Sequence, residues 1–159
     1  MSEPALHRIA AIVLDEESIA GAPRMLEQER EVAIHDLLEN NHFAPEVSGG
    51  GAYHVRLHVA ENRLVFDITY AAGSPCCRIA LALKPFRRIV KEYLLMVESY
   101  NAAIRGAPRE RLETLDMGRR GLHNEGAQLL MDELDGKAAL DFATARRLFT
   151  LLCVLHMRH

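Results

Sequence analysis

The chain has 159 residues, 49% of them apolar and 26% charged. This is ordinary globular composition, and it excludes collagen-like, low-complexity and wholly disordered classes. The formal net charge is -3, but residues 1–80 carry 6 Lys/Arg against 12 Asp/Glu, whereas residues 81–159 carry 13 against 10. The basic half reads either as solvated helix faces or as a surface turned toward an anion or an acidic protein partner. The overall acidity argues against broad nucleic-acid binding.

A single domain over residues 1–159 is expected, because a chain of this length buries roughly 70% of its unfolded surface without metal or disulfide staples. The longest uncharged run of the C-terminal helix is ten residues, 148–157. A spanning helix needs about 20, so no membrane segment is expected. The opening MSEPALHRIAAIVLDEE has an early acid and no apolar core ending in a small-residue cleavage site, unlike a signal peptide. Cys76, Cys77 and Cys153 are odd in number and include an adjacent pair. Free thiols in a reducing cytoplasm are the simplest account.

In chain order, residues 7–14 read as a strand rich in branched side chains, and 15–23 as a loop. Residues 24–41 form a helix with Leu26, Ala33, Ile34, Leu37 and Leu38 as its apolar stripe. Pro45 and three consecutive glycines make 45–51 a flexible connection. Two alternating strands follow, 53–60 and 63–70, joined by Glu61-Asn62 in a hairpin. A third strand over 77–83 completes a meander. Residues 84–106 form a helix with Pro85 near its start. One of its faces carries Phe86, Val90, Tyr93, Val97, Tyr100 and Ile104, and the other carries Arg87, Arg88, Lys91, Glu92 and Glu98. Leu95 lies on the polar face, which allows for a homodimer contact or a singly exposed leucine. Residues 108–134 read as helical with interruptions. Asp141 caps a last helix to about 156, apolar on nearly every side except for the narrow arc of Arg146, Arg147 and Thr150. The expected fold is α+β: a small antiparallel sheet, made of the N-terminal strand plus the meander, with helices on one face and a buried C-terminal helix.

The anomalous stretch is DMGRRGLHNEGAQLL, with glycines at 118, 121 and 126. Three glycines cost an unbroken helix on the order of 3 kcal/mol against alanine. Either the helix breaks there, or something approaches its backbone closely. On a helical wheel Leu112, Leu115, Leu122, Gly126, Leu129 and Leu130 cluster on one side. Arg119 falls in the middle of that stripe and His123 at its edge. Three readings follow: a buried Arg–carboxylate pair beside a packed histidine, a helix break that exposes both, or a polar pocket. In a pocket Arg119 would bind an anion bidentately. His123 would act as donor or general acid/base, Glu125 would orient or relay, and Arg120 and Asn124 would extend the site.

His123-Asn124-Glu125 matches half of the zinc deaminase signature, but no Pro-Cys-x-x-Cys follows. Arg119 and His123 are one residue too close for the helical RNase spacing, and Cys153 and Arg158 one too close for a cysteine phosphatase loop. No Walker A loop, G-x-G-x-x-G, G-x-S-x-G or H-E-x-x-H occurs. His54 and His58, with Arg56 between them, read as a solvated sheet face, and His156 and His159 as incidental. Only Arg78 is placed to activate Cys76 or Cys77. No metal and no cofactor is expected.

The combination of LVFDI, LKPFRRIVKEY, ESYNAAIR, DMGRRGLHNEG and DFATARRLFTLLCVLH resembles the bacterial uncharacterised protein family 0262, from about Leu6 to His156. The resemblance implies a bacterial cytoplasmic protein and assigns no catalytic residue. The leading functional expectation is a non-enzymatic binding or regulatory domain that holds a small anion or an acidic partner through Arg87, Arg88, Arg119 and Arg120. The alternative is a small phosphate-ester hydrolase using Arg119, His123 and Glu125.

Overall fold

The computed structural model of the chain describes residues 6–15 and 24–156. The loop expected beyond Asp15, and Arg158 and His159, lie outside the described residues. Strand β1 (His7–Leu14) is followed by helix α1 (Arg24–Glu39) and a short strand β2 (Phe43–Pro45). The meander is β3 (Gly51–Ala60), β4 (Arg63–Tyr70) and β5 (Pro75–Ala82). A single 3-10 turn, Lys84–Phe86, leads into α2 (Arg87–Ala103). Then come α3 (Arg109–Leu134), β6 (Ala138–Leu140) and α4 (Phe142–His156).

The α+β class holds. The main sheet has the order β1-β3-β4-β5. It is mixed rather than wholly antiparallel, because β1 runs parallel to β3. The reason lies in the connection: α1 intervenes between the two strands, and a helical crossover returns the chain in the same direction. The hairpin between β3 and β4 turns at Glu61 and Asn62 with φ of 53° and 60°, the left-handed pair that matches strand twist. The sequence reading missed β2 and β6, which pair antiparallel from Phe43↔Leu140 to Pro45↔Ala138. At three residues each they are too short to show a period, yet they tie the end of α1 to the start of α4.

One face of the sheet (Tyr53, Val55, Leu57, Leu64, Phe66, Ile68, Ile79, Leu81) is buried in the core with the helices. The other is wet, and Asp67 sits there among Arg56 (3.7 Å), His58 (2.8 Å) and Arg78 (3.3 Å). His54 is exposed beside them, as a solvated sheet face requires. Helix α4 is the centre of the helical layer, packed against α1, α3 and β3. Its residues Leu148 through Leu155 are all buried. Asp141 accepts a bond from the Thr144 N–H at 3.1 Å and so caps it.

Asn41 closes the outer edge of β1. Its Oδ1 accepts from Ile9 N–H at 2.8 Å, and its Nδ2 donates to Ile9 C=O at 2.9 Å and to Leu37 C=O at 2.8 Å. One side chain thereby satisfies a strand edge and the last turn of α1. Asn41→Ala should lower stability by about 2 kcal/mol, because it orphans three backbone groups in partly buried surroundings. Urea denaturation would measure this, and a loss below a few tenths would contradict the role.

Candidate functional site

The anomalous segment forms a continuous helix, and its three glycines have different reasons. A Cβ at Gly126 would collide with the tip of the Phe149 ring of α4, so only a bare backbone lets the two helices meet. At Gly118 a Cβ would meet only the flexible tip of Met96, and at Gly121 it would meet nothing. The expected interruptions in 108–134 are therefore absent: packing against α4 compensates the poor intrinsic propensity.

This close approach sets His123 over α4, beside a cleft of about 770 Å³ lined by α1, α2, α3 and α4. Helix α1 gives Gln28, Glu29, Val32, Ala33 and Asp36, and α2 gives Tyr93 and Asn101. Helix α3 gives Arg119, Arg120 and His123, and α4 gives Arg146, Arg147 and Thr150. Three of the seven predicted site residues, Arg119, Arg120 and His123, thus share the cleft.

The other four do not line it. Arg88 pairs with Glu92 (2.9 Å) and with Glu125 (3.1 Å) on the outer surface. This bridge between α2 and α3 turns Glu125 away from His123, so the expected orienting role fails. Arg87 and Asn124 are exposed and outside the lining. The reason is angular: 124 and 125 lie 100° and 200° around the helix from His123.

Arg119 combines two of the readings considered for it, pairing and pocket. Its Nη2 donates to Asp116 Oδ1 at 2.6 Å, and its Nη1 lies 3.9 Å from Glu29 Oε1. The guanidinium carbon rests 4.8 Å from the centre of the Tyr100 ring, a cation–π contact. Burial works against its charge, but the Asp116 bond and charge more than offset this and raise its pKa. Asp116 in turn is held below its usual range, chiefly by Arg119, and it also bonds Arg120 at 3.0 Å. Arg119 Nε is buried without a partner, and 3.9 Å is too long for a hydrogen bond. That nitrogen is sealed inside the fold, so the guanidinium meets the cleft through its remaining surface beside Glu29.

His123 is clamped. Its ring lies tilted against Tyr93 at 5.3 Å and edge-on to Phe149 at 5.6 Å. Arg146 Nε donates to its Nδ1 at 3.4 Å, and its Nε2 lies 2.9 Å from Thr150 Oγ1. Since Arg146 can only donate, Nδ1 accepts and Nε2 carries the hydrogen. Burial pushes the imidazole down to about 4, helped by the charges of Arg146, Arg147 and Arg119. A ring that is neutral at pH 7 is a poor general acid: its one N–H is only feebly acidic and is already bonded to Thr150.

Glu29 is the acidic counterpart in the cleft. Burial pushes its carboxyl up, against the opposing pull of Arg119 and a hydrogen bond from Tyr93 OH at 3.3 Å. Asp36 pairs with Arg147 at 3.7 Å. Arg146 is half-buried and has no carboxylate partner among the described residues. The lining thus holds four guanidiniums against two carboxylates.

Sequence reasoning missed Glu29, Tyr93, Arg146, Arg147 and Thr150 as site residues. The signal was present in α4: a narrow polar arc on an otherwise buried helix marks a polar chamber within the fold.

By fold and site the chain is an α+β protein with an arginine-rich cleft among its helices. It belongs to the Uncharacterised protein family (UPF0262), whose family model matches residues 6–158. A UPF0262 protein of Caulobacter vibrioides is 55% identical over 152 residues, 96% of this chain and 94% of that one. One from Nitrobacter hamburgensis is 49% identical over 98% of this chain and 95% of its own. One from Rhodopseudomonas palustris is 49% identical over 96% and 93%. No solved structure matches the chain. No helix among the described residues is long and apolar enough to cross a membrane.

Proposed function

We propose that the protein is a binding domain for a small anion, a phosphate or carboxylate species seated in the cleft between α1, α2, α3 and α4. The observation that carries this reading is the surplus of guanidinium there. Arg146 is half-buried with no carboxylate partner among the described residues, and Arg119, Arg120 and Arg147 line the same cleft. A desolvated cation without a counter-charge is costly, and a bound anion would offset that cost. The volume of about 770 Å³ falls within the range of small-molecule sites, about 300–1,000 Å³. A small anion is favoured over an acidic protein surface because the arginines converge in a concavity, while Arg87 and Arg88 lie outside it. Phosphate-ester hydrolysis by Arg119, His123 and Glu125 is not adopted, because Glu125 is committed to Arg88 and His123 is neutral and doubly bonded.

The test is calorimetric titration of the whole chain with pyrophosphate and with citrate at low salt. Binding of at least one is expected, and Arg146→Gln should weaken it about 10- to 100-fold, the worth of a charge-assisted hydrogen bond. Arg88→Gln should leave it unchanged. Failure of the wild-type chain to bind either probe, or indifference to Arg146→Gln, would overturn the reading.

A further inference from the structure

At the start of β5 lies a feature far from the cleft residues in sequence and independent of them. In a regular strand adjacent side chains point to opposite faces. Here the register slips: Ile68 pairs with Cys77 and Thr69 with Pro75, so Cys76 is the extra residue of a β-bulge. Both cysteines are half-buried and packed against the core. Their Sγ atoms are 3.7 Å apart, and neither is in a disulfide. We infer that Cys76 and Cys77 form a two-thiol chelating site for a thiophilic centre of the trivalent arsenical class.

The spacing supports this. Two sulfur bonds of about 2.3 Å, the length of a zinc–thiolate bond, span roughly 3.4–3.5 Å when they meet at the pyramidal angle of a trivalent centre, roughly 95–100°, within a few tenths of the 3.7 Å between the two Sγ atoms. The bulge therefore presents the pair at chelating distance before anything binds. The chemistry of the pair selects among thiophilic reactions. Disulfide exchange and zinc binding both require thiolate. Burial and the neighbouring thiol push Cys77 up to about 11, which holds that form scarce. Condensation with a trivalent arsenical releases no net proton, because each thiol hydrogen leaves in water, so a high thiol pKa does not oppose its equilibrium as it opposes zinc binding. At each sulfur the S–H bond and an As–O bond break and an As–S bond forms. The hydroxyl leaves with the thiol proton as water, and no atom changes oxidation state.

The experiment uses phenylarsine oxide with the full, reduced chain. Intact mass and thiol counting should give one phenylarsine per chain with two thiols consumed, mapped by peptide mass to Cys76 and Cys77. Dithiothreitol should remove the adduct, and a monothiol at the same thiol concentration should not. Cys76→Ser and Cys77→Ser should each weaken binding about 100-fold, since the second bond is no longer intramolecular. Cys153→Ser should retain it, Cys153 being buried elsewhere in the core. No adduct on the native chain at equimolar reagent would overturn the inference. So would an adduct mapped to Cys153, or one undiminished in Cys76→Ser.

Discussion

Phe149→Ala is expected to destabilise the chain by about 3–5 kcal/mol, the usual cost of deleting a buried phenyl ring. Phe149 is wholly buried, meets Tyr93 and His123 edge-on at 5.8 and 5.6 Å, and fills the space against the bare backbone of Gly126. The second half of this prediction is a change of sign. Alone, Gly126→Ala drives a methyl into the ring and should cost about 1–3 kcal/mol. In the Phe149→Ala background the obstacle is gone. The same substitution should then stabilise, by up to about 1 kcal/mol of helix propensity. Urea midpoints of the four proteins in a double-mutant cycle measure the coupling. If Gly126→Ala has the same effect in both backgrounds, the two residues do not set the α3–α4 distance.

The pH dependence of His123 is the second large effect. In the folded chain the imidazole is pushed down to about 4, against about 6.5 in an unfolded chain. Unfolding therefore takes up a proton as pH falls through this window. Stability contributed by the neutral ring is intact above pH 6.5 and lost progressively toward pH 4, by up to about 3 kcal/mol. Glu29 acts in the opposite sense, because its raised pKa gives a contribution present at low pH and lost as pH rises. The informative quantity is therefore the difference between the wild type and His123→Gln, which retains a donor toward Thr150 but cannot titrate. That difference should shift in favour of the variant from pH 7 to pH 4.5. Parallel stability curves over this range would mean that the imidazole is not held neutral.

Much of the fold was legible because its periods are strong. Val55, Leu57 and Val59 alternate with His54, Arg56 and His58, and β3 lies where that alternation runs. The all-round apolar character of α4 marked it as central, and it is. The parallel β1–β3 pair was implicit in the strand–helix–strand order but was read as part of an antiparallel sheet. The ribbon of β2 and β6 was not legible, because three residues carry no period. The candidate site was half visible. Arg119 inside an apolar stripe marked one wall, since a guanidinium rarely sits among leucines without a purpose. Arg146, Arg147 and Thr150 were recognised only as the polar edge of another helix. Nothing local in the sequence tells which two helices bring such arcs together. Glu125 shows the converse error: it is next to His123 along the chain but faces Arg88 across the helix surface.

Arginine side-chain NMR, following the Nε–Hε resonances while pyrophosphate is added, tests the anion site most directly. Saturable shifts are expected at Arg119 and Arg146, with Arg87 and Arg88 unmoved. Shifts led by Arg87 and Arg88, or small drifts of equal size at every arginine, would contradict it.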